Sequence, residues 1–131
     1  MKLNHTGTHP VHTDLTIEHA IAFHNAIGPQ RKEARLRYLQ TYWTSKVRGL
    51  PKVILNTPSD PARACAIANV GIEGVAPADL AKTLLDKYKI WTNAIDSPAI
   101  GVQGVRITPH VFIQSTDLDV LVRAISEIAR A

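Results

Sequence analysis

The chain has 131 residues, 45% hydrophobic and 20% charged, enough for one folded core and too apolar to stay disordered. No apolar run approaches the length of a membrane span, and the start, Met1-Lys2-Leu3-Asn4-His5, lacks the apolar stretch of a secretory signal. Lys and Arg number 15 against 11 Asp and Glu, and a single cysteine, Cys65, rules out an internal disulfide and fits a reducing, cytoplasmic setting.

Residues 1–13 carry Gly, Pro, Thr and His without periodicity and read as a loop. Ile17, Ala20, Ile21, Phe23, His24 and Ile27 have helical spacing and predict a helix over 14–27. Gly28-Pro29 stops it, offering a left-handed cap and then a residue that cannot continue it. A longer helix follows over 29–48, with Ala34, Leu36, Leu39, Tyr42, Trp43 and Val47 as its apolar stripe. Val53–Leu55 is a short strand closed by the turn-rich run 56–61, and a second strand is expected over 64–70, burying Cys65 as an inert thiol. Pro77–Tyr88 reads as a helix with Leu80, Leu84, Leu85 and Tyr88 on one face. Two further strands are expected over 90–95 and 102–108. Ser115 or Thr116 should cap a last helix whose core stripe is Leu118, Leu121, Val122, Ile125 and Ile128. Asp117 and Asp119 fall in its first turn, at the positive end of the dipole.

The order helix, helix, strand, strand, helix, strand, strand, helix predicts an α+β fold. It suits a small, mostly antiparallel sheet with helices on one face, preceded by two helices. The division expected is 1–50, a loop and two interface helices, and 51–131, a small α+β domain.

Few residues point to chemistry. Gly7-Thr8 can present backbone N–H and hydroxyl donors to a phosphate, or can form a plain turn. Arg106 alternates with Val105 and Ile107 along its strand. From the far face its guanidinium can grip a carboxylate through two parallel hydrogen bonds, or it can be an ordinary surface arginine. His5, His9, His12, His19 and His24 are dense enough to raise a metal, but their spacing matches neither a helical pair nor a zinc frame. No Gly-x-Ser-x-Gly elbow or glycine-rich nucleotide loop is present. Seven basic residues (Arg31, Lys32, Arg35, Arg37, Lys46, Arg48, Lys52) face Glu33 alone between 29 and 52, so a nucleic acid or other acidic partner comes into view. The helix lacks interleaved exposed aromatics, however, because Tyr42 and Trp43 fall on or beside its apolar stripe. A solvated face or a docking surface is the plainer reading.

Asn4-His5-Thr6-Gly7-Thr8-His9-Pro10, Ala22-Phe23-His24-Asn25-Ala26-Ile27-Gly28, Arg31 through Leu39, Lys89-Ile90-Trp91-Thr92 and Gly104-Val105-Arg106-Ile107-Thr108-Pro109-His110 together resemble the C-terminal part of class V aminotransferases. The likeness is to the isopenicillin N epimerase-like branch, with cysteine desulfurases as more distant relatives. It implies pyridoxal 5'-phosphate as cofactor, an amino acid as substrate, and a site at a homodimer interface. It also implies that Gly7 and Thr8 reach the cofactor phosphate and that Arg106 binds the substrate α-carboxylate. In that family the aldimine lysine lies well upstream of the Gly-Thr loop, whereas three residues precede Asn4 here. The resemblance therefore implies a C-terminal portion, inactive by itself, working within a homodimer or with a separately encoded large domain. Transamination, racemisation, elimination and desulfuration share the scaffold, and Cys65 is a poor desulfurase nucleophile. A non-catalytic dimerisation module, or a basic nucleic-acid-binding domain, is the alternative.

Overall fold

The computed structural model describes residues 11–131, so Gly7, Thr8, His5 and His9 lie outside the described residues. The chain divides into two compact units, residues 1–32 and 33–131.

In the first unit, α1 spans Val11–Ile27 and α2 (Pro29–Val47) begins. Gly28 separates them at φ 90°, and its N–H closes on the His24 carbonyl at 3.1 Å, the left-handed stop that a glycine provides without a Cβ penalty. Lys32 Nζ lies 2.6 Å from His24 Nδ1, tying the first turn of α2 to the last turn of α1. The helical spacing was sound, although the helix begins at Val11, within the run expected to be a loop, and the described residues of this unit build no core. Leu15, Ile17, Ile21 and Phe23 are each more than half exposed.

The second unit carries the rest of α2, then β1 (Val53–Leu55), β2 (Ala68–Ile72), α3 (Pro77–Tyr88), β3 (Asn93–Ser97), a single 3-10 turn at Pro98–Ile100, β4 (Val102–Ile107) and α4 (Ser115–Arg130). The four strands form one antiparallel sheet in the order β1-β2-β4-β3. Val70 pairs with Val105 and Ala68 with Ile107, and these residues with Ile72 turn one face of the sheet toward the core. Leu39, Trp43 and Val47 of α2, Leu80 and Leu84 of α3, and Leu118, Leu121 and Ile125 of α4 close that core. Ala34 alone of the expected α2 stripe is exposed.

Several boundaries differ from the sequence reading. The second strand starts at Ala68, not at 64, because the preceding carbonyls are held elsewhere. Arg37 Nη1 donates to Pro61 O at 2.7 Å and to Ala64 O at 2.6 Å, and Asp60 Oδ1 accepts the Ala62 N–H at 2.9 Å. Cys65 thus sits in a bend, half-buried, not in a strand core. The third strand begins at Asn93 rather than at 90, since Ile90 N still donates to Leu84 O at 3.0 Å beyond a left-handed Lys89 (φ 60°), a helix-terminating pattern. Neither Ser115 nor Thr116 is the N-cap of α4. Gln114 takes that place in a capping box, with Asp117 Oδ2 accepting the Gln114 N–H at 3.0 Å.

Gly71 and Gly104 let β2 and β4 approach closely. A Cβ on Gly71 would lie 2.5 Å from Gln103 O, and one on Gly104 2.4 Å from Val70 O. Gly104 also adopts φ 155°. No helix among the described residues is long and apolar enough to cross a membrane.

Candidate functional site

The face of the sheet turned away from the core carries Arg106. Its register partners are Asn69 on β2 and Asn93 on β3, so the guanidinium rises between two carboxamides. Val105 is fully buried behind it and Ile107 nearly so, while Arg106 is exposed, the alternation the sequence predicted. Among the described residues Arg106 has no hydrogen-bond or ion-pair partner. A planar guanidinium left free beside polar, uncharged neighbours offers two parallel donors to a carboxylate.

The surroundings are stiffened by Asn56, whose Nδ2 donates to Asn69 Oδ1 at 2.7 Å and to Gln103 O at 3.0 Å. Thr57 Oγ1 accepts the Asn69 N–H at 2.9 Å. Asn69 Nδ2, by contrast, is hidden from solvent and has no partner among the described residues. Sequence reasoning passed over both asparagines, and only strand register reveals them as neighbours of Arg106. Asn56, Asn69, Arg63 and Cys65 also line a shallow cavity of about 560 Å³.

Two of the stretches that carried the family resemblance meet at the far end of β4. Trp91 and Thr92 join Thr108, Pro109, Ile113 and Leu118 around a groove of about 300 Å³. Its walls are chiefly apolar, Trp91 is 75% exposed, and Thr92 Oγ1 is buried there without a partner.

The basic helix turns out to be largely an internal fastener. Arg35 Nη2 donates to Ile113 O at 2.8 Å, Arg37 holds the 61–64 loop and Glu33 Oε1, and Lys46 Nζ meets Asp119 Oδ1 at 2.5 Å. Tyr42 Oη donates to the same carboxylate at 2.9 Å. The Lys46 hydrogen bond, seconded by Tyr42, holds Asp119 below the ordinary carboxylate value. In return, the bond to Asp119 raises Lys46.

The described lysines do not fit the anchoring of pyridoxal phosphate, which requires an amine that can lose its proton. Hydrogen bonds to Asp119, Asp86 and Tyr88 raise Lys46, Lys82 and Lys87 respectively. Lys32 lies against His24, Lys89 donates to Asp86 O at 2.9 Å, and Lys52 is exposed. Gly7 and Thr8, the residues expected at the cofactor phosphate, lie outside the described residues. Among the described residues no group of histidines, cysteines and carboxylates is placed to hold a metal.

The fold is shared with solved enzymes. The chain resembles the apo cysteine desulfurase of Thermococcus onnurineus NA1 with a TM-score of 0.72 at 21% identity, covering 84% of this chain and 29% of that one. It resembles the S-sulfonic acid form of an Escherichia coli cysteine desulfurase with a TM-score of 0.64 at 20% identity, covering 76% of this chain and 26% of that one. The chain thus spans under a third of the length of either enzyme, and at these identities the likeness speaks to fold alone. No curated protein sequence matches it. The profile of the family described as Aminotransferase class-V matches residues 2–123, most of the chain, and the chain belongs to the class V aminotransferase family.

Proposed function

We propose that these residues form the C-terminal domain of a pyridoxal phosphate-dependent class V enzyme of the isopenicillin N epimerase-like branch, acting on an amino acid. The observation that carries this reading is the Arg106 guanidinium, without a partner among the described residues, exposed on its strand with Asn69 and Asn93 as register neighbours. Arg106 binds the substrate α-carboxylate and fixes the orientation of the α-carbon, while Asn56 and Asn69 hold the β2–β4 backbone beneath it. Gly7 and Thr8 contact the cofactor phosphate. The Schiff-base lysine comes from a large domain, either in the same polypeptide or on another chain, and the working site is completed in a homodimer in a reducing, cytoplasmic setting. As an isolated chain it performs no aldimine chemistry.

Two experiments test this. In the enzyme complete with its lysine-bearing domain, Arg106→Ala removes a bidentate charged pair worth about 3 kcal/mol. It should raise KM for the amino acid roughly 100-fold with a smaller change in kcat. Unchanged kinetics would remove Arg106 from the site. For the 131-residue chain, borohydride reduction after incubation with pyridoxal phosphate, followed by peptide mapping, should show weak labelling spread over several lysines. Stoichiometric labelling of one lysine would mean that the chain builds its own cofactor anchor.

A second reading has its own support. The exposed apolar side chains of α1, Leu15 and Phe23 to one side and Ile17 and Ile21 to the other, suit a non-catalytic module that retains the fold for association. That reading expects Arg106→Ala to leave assembly unchanged and expects Ile21→Asp to abolish it in sedimentation. The catalytic reading alone expects the KM effect.

A further inference from the structure

On the polar side of α2, away from Arg106, lies a pocket of about 300 Å³ lined by Gln40, Thr41, Thr44, Ser45, Arg48 and Ser59. Four of the six stand on α2 at spacings of one and four residues, which places them on one face, and Arg48 follows in the turn just past its end. Ser59 reaches over from the 56–61 turn. Gln40 and Thr44 are 7% and 4% exposed, unusual burial for polar side chains, which ordinarily reach the interior only with their bonds satisfied. Thr44 meets that condition, its hydroxyl donating to Gln40 O at 2.8 Å. Gln40 is held at one end only: its Oε1 accepts a long bond from Thr41 at 3.4 Å, and its Nε2, without a partner among the described residues, stays open to solvent on the pocket side. Arg48 is similarly underused, with one bond at 3.5 Å to Thr57 O.

The lining is rich in donors and holds no carboxylate. Asp60 stands next to Ser59 in sequence but is outside the lining, and its Oδ1 accepts the Ala62 N–H. A cation with open N–H groups, a carboxamide N–H and the Ser59 hydroxyl, gathered in one concavity without a counter-charge, have the donor complement of a tetrahedral oxyanion, while the hydroxyls of Thr41 and Ser45 already donate to Gln40 Oε1 and Tyr42 O. We propose that this pocket binds a phosphate group, free or as a monoester. It stands on residues that the carboxylate site does not use, so the proposal is independent of the aminotransferase reading.

The test is titration of the full chain, isotopically labelled, with inorganic phosphate and with O-phosphoserine in parallel at constant ionic strength. The Gln40 side-chain amide and the Arg48 resonances are followed by NMR. Saturable shifts confined to Gln40, Arg48 and Ser59 are expected. Arg48→Gln, an exposed position that leaves the fold intact, should weaken binding about tenfold, the effect of losing one charged contact. Lys82→Gln, which removes an exposed cation on α3, should leave binding within about twofold. Phosphoserine binding as tightly as phosphate assigns a monoester, and phosphate binding alone assigns the free ion. Shifts spread evenly over the basic residues, or equal affinity in Arg48→Gln and the parent chain, would overturn the proposal.

Discussion

Gly104→Ala tests whether the close approach of β2 and β4 is what presents Arg106. The added methyl would lie 2.4 Å from Val70 O and 2.6 Å from Val70 C, about 1 Å inside ordinary contact. The two nearest atoms are backbone, with the Asn69 side-chain oxygen next at 2.7 Å, so a rotamer change alone does not relieve the clash, and φ 155° adds strain of about 1–3 kcal/mol for any residue with a Cβ. Relief requires the strands to part where Val70 pairs with Val105. That forfeits about two ladder bonds at about 1 kcal/mol each. The expected loss is about 3–5 kcal/mol, a large share of the roughly 5–15 kcal/mol that holds a domain of this size together. Urea unfolding followed by the emission of the fully buried Trp43 measures it, and the melting point should fall by roughly 15–30 °C. Gly101→Ala is the control. Gly101 also has positive φ, 69°, but nothing lies within 4 Å of its added Cβ, so the cost there is about 1 kcal/mol. If the two variants lose equal stability, the close approach is not what fixes glycine at Gly104.

Three further outcomes are expected. Asp119, held below its usual value first by Lys46 and then by Tyr42, contributes stability that is present above the unfolded carboxylate value and is lost as pH falls through the lowered folded value. Urea midpoints of the parent chain and Asp119→Asn should therefore differ near neutrality and converge in acid; a constant difference would refute the pairing. Arg37→Met frees the carbonyls of Pro61 and Ala64. Hydrogen exchange should then accelerate over residues 60–67 and alkylation of Cys65 should quicken severalfold, with β1 protection unchanged; uniform acceleration would point instead to global loosening. Leu84→Ala, at a fully buried position, should cost about 3 kcal/mol in the same urea assay. A cost below about 1 kcal/mol would mean that α3 does not pack as described.

The elements most legible in the sequence were those with long, clean periodicity or hard punctuation. Pro77–Tyr88 was located to the residue because Pro77 suits a first turn and Leu80 and Leu84 repeat at helical spacing. Val53–Leu55 was likewise located, between two turn-rich runs. The strand expected at 64 failed for a reason no local pattern carries. Ala64 and Cys65 have strand-like neighbours, but a guanidinium 27 positions earlier in sequence binds the Ala64 carbonyl. A helix stripe records that a face is apolar, not what covers it, and so Ile21 and Phe23 predicted α1 correctly while saying nothing of their exposure. Arg106 was readable as a face-changing residue in an apolar strand. Asn69 and Asn93 were not, because their nearness to it exists only in the register.

Charge on α2 shows how a sequence count differs from a binding surface. Seven cations against one acid suggested an acidic partner, yet attraction to a partner depends on charges that remain open in the folded chain. Arg35 and Arg37 terminate on carbonyl oxygens and Lys46 on Asp119, so these three hold the 61–64 loop, the segment before α4 and α4 itself to the helix. Removing any of them should loosen the fold before it alters recognition. Arg48 and Arg106 differ in kind. Arg106 stands on the exposed side of a strand whose opposite side is core, and Arg48 just past the end of α2, each beside amides or hydroxyls, and among the described residues neither has a strong protein partner. A cation fixed by its element but not neutralised by the fold is available to an anion at little cost in rearrangement. That criterion, rather than the number of basic residues, is what singles out Arg106 for the proposed carboxylate contact and Arg48 for the proposed phosphate contact.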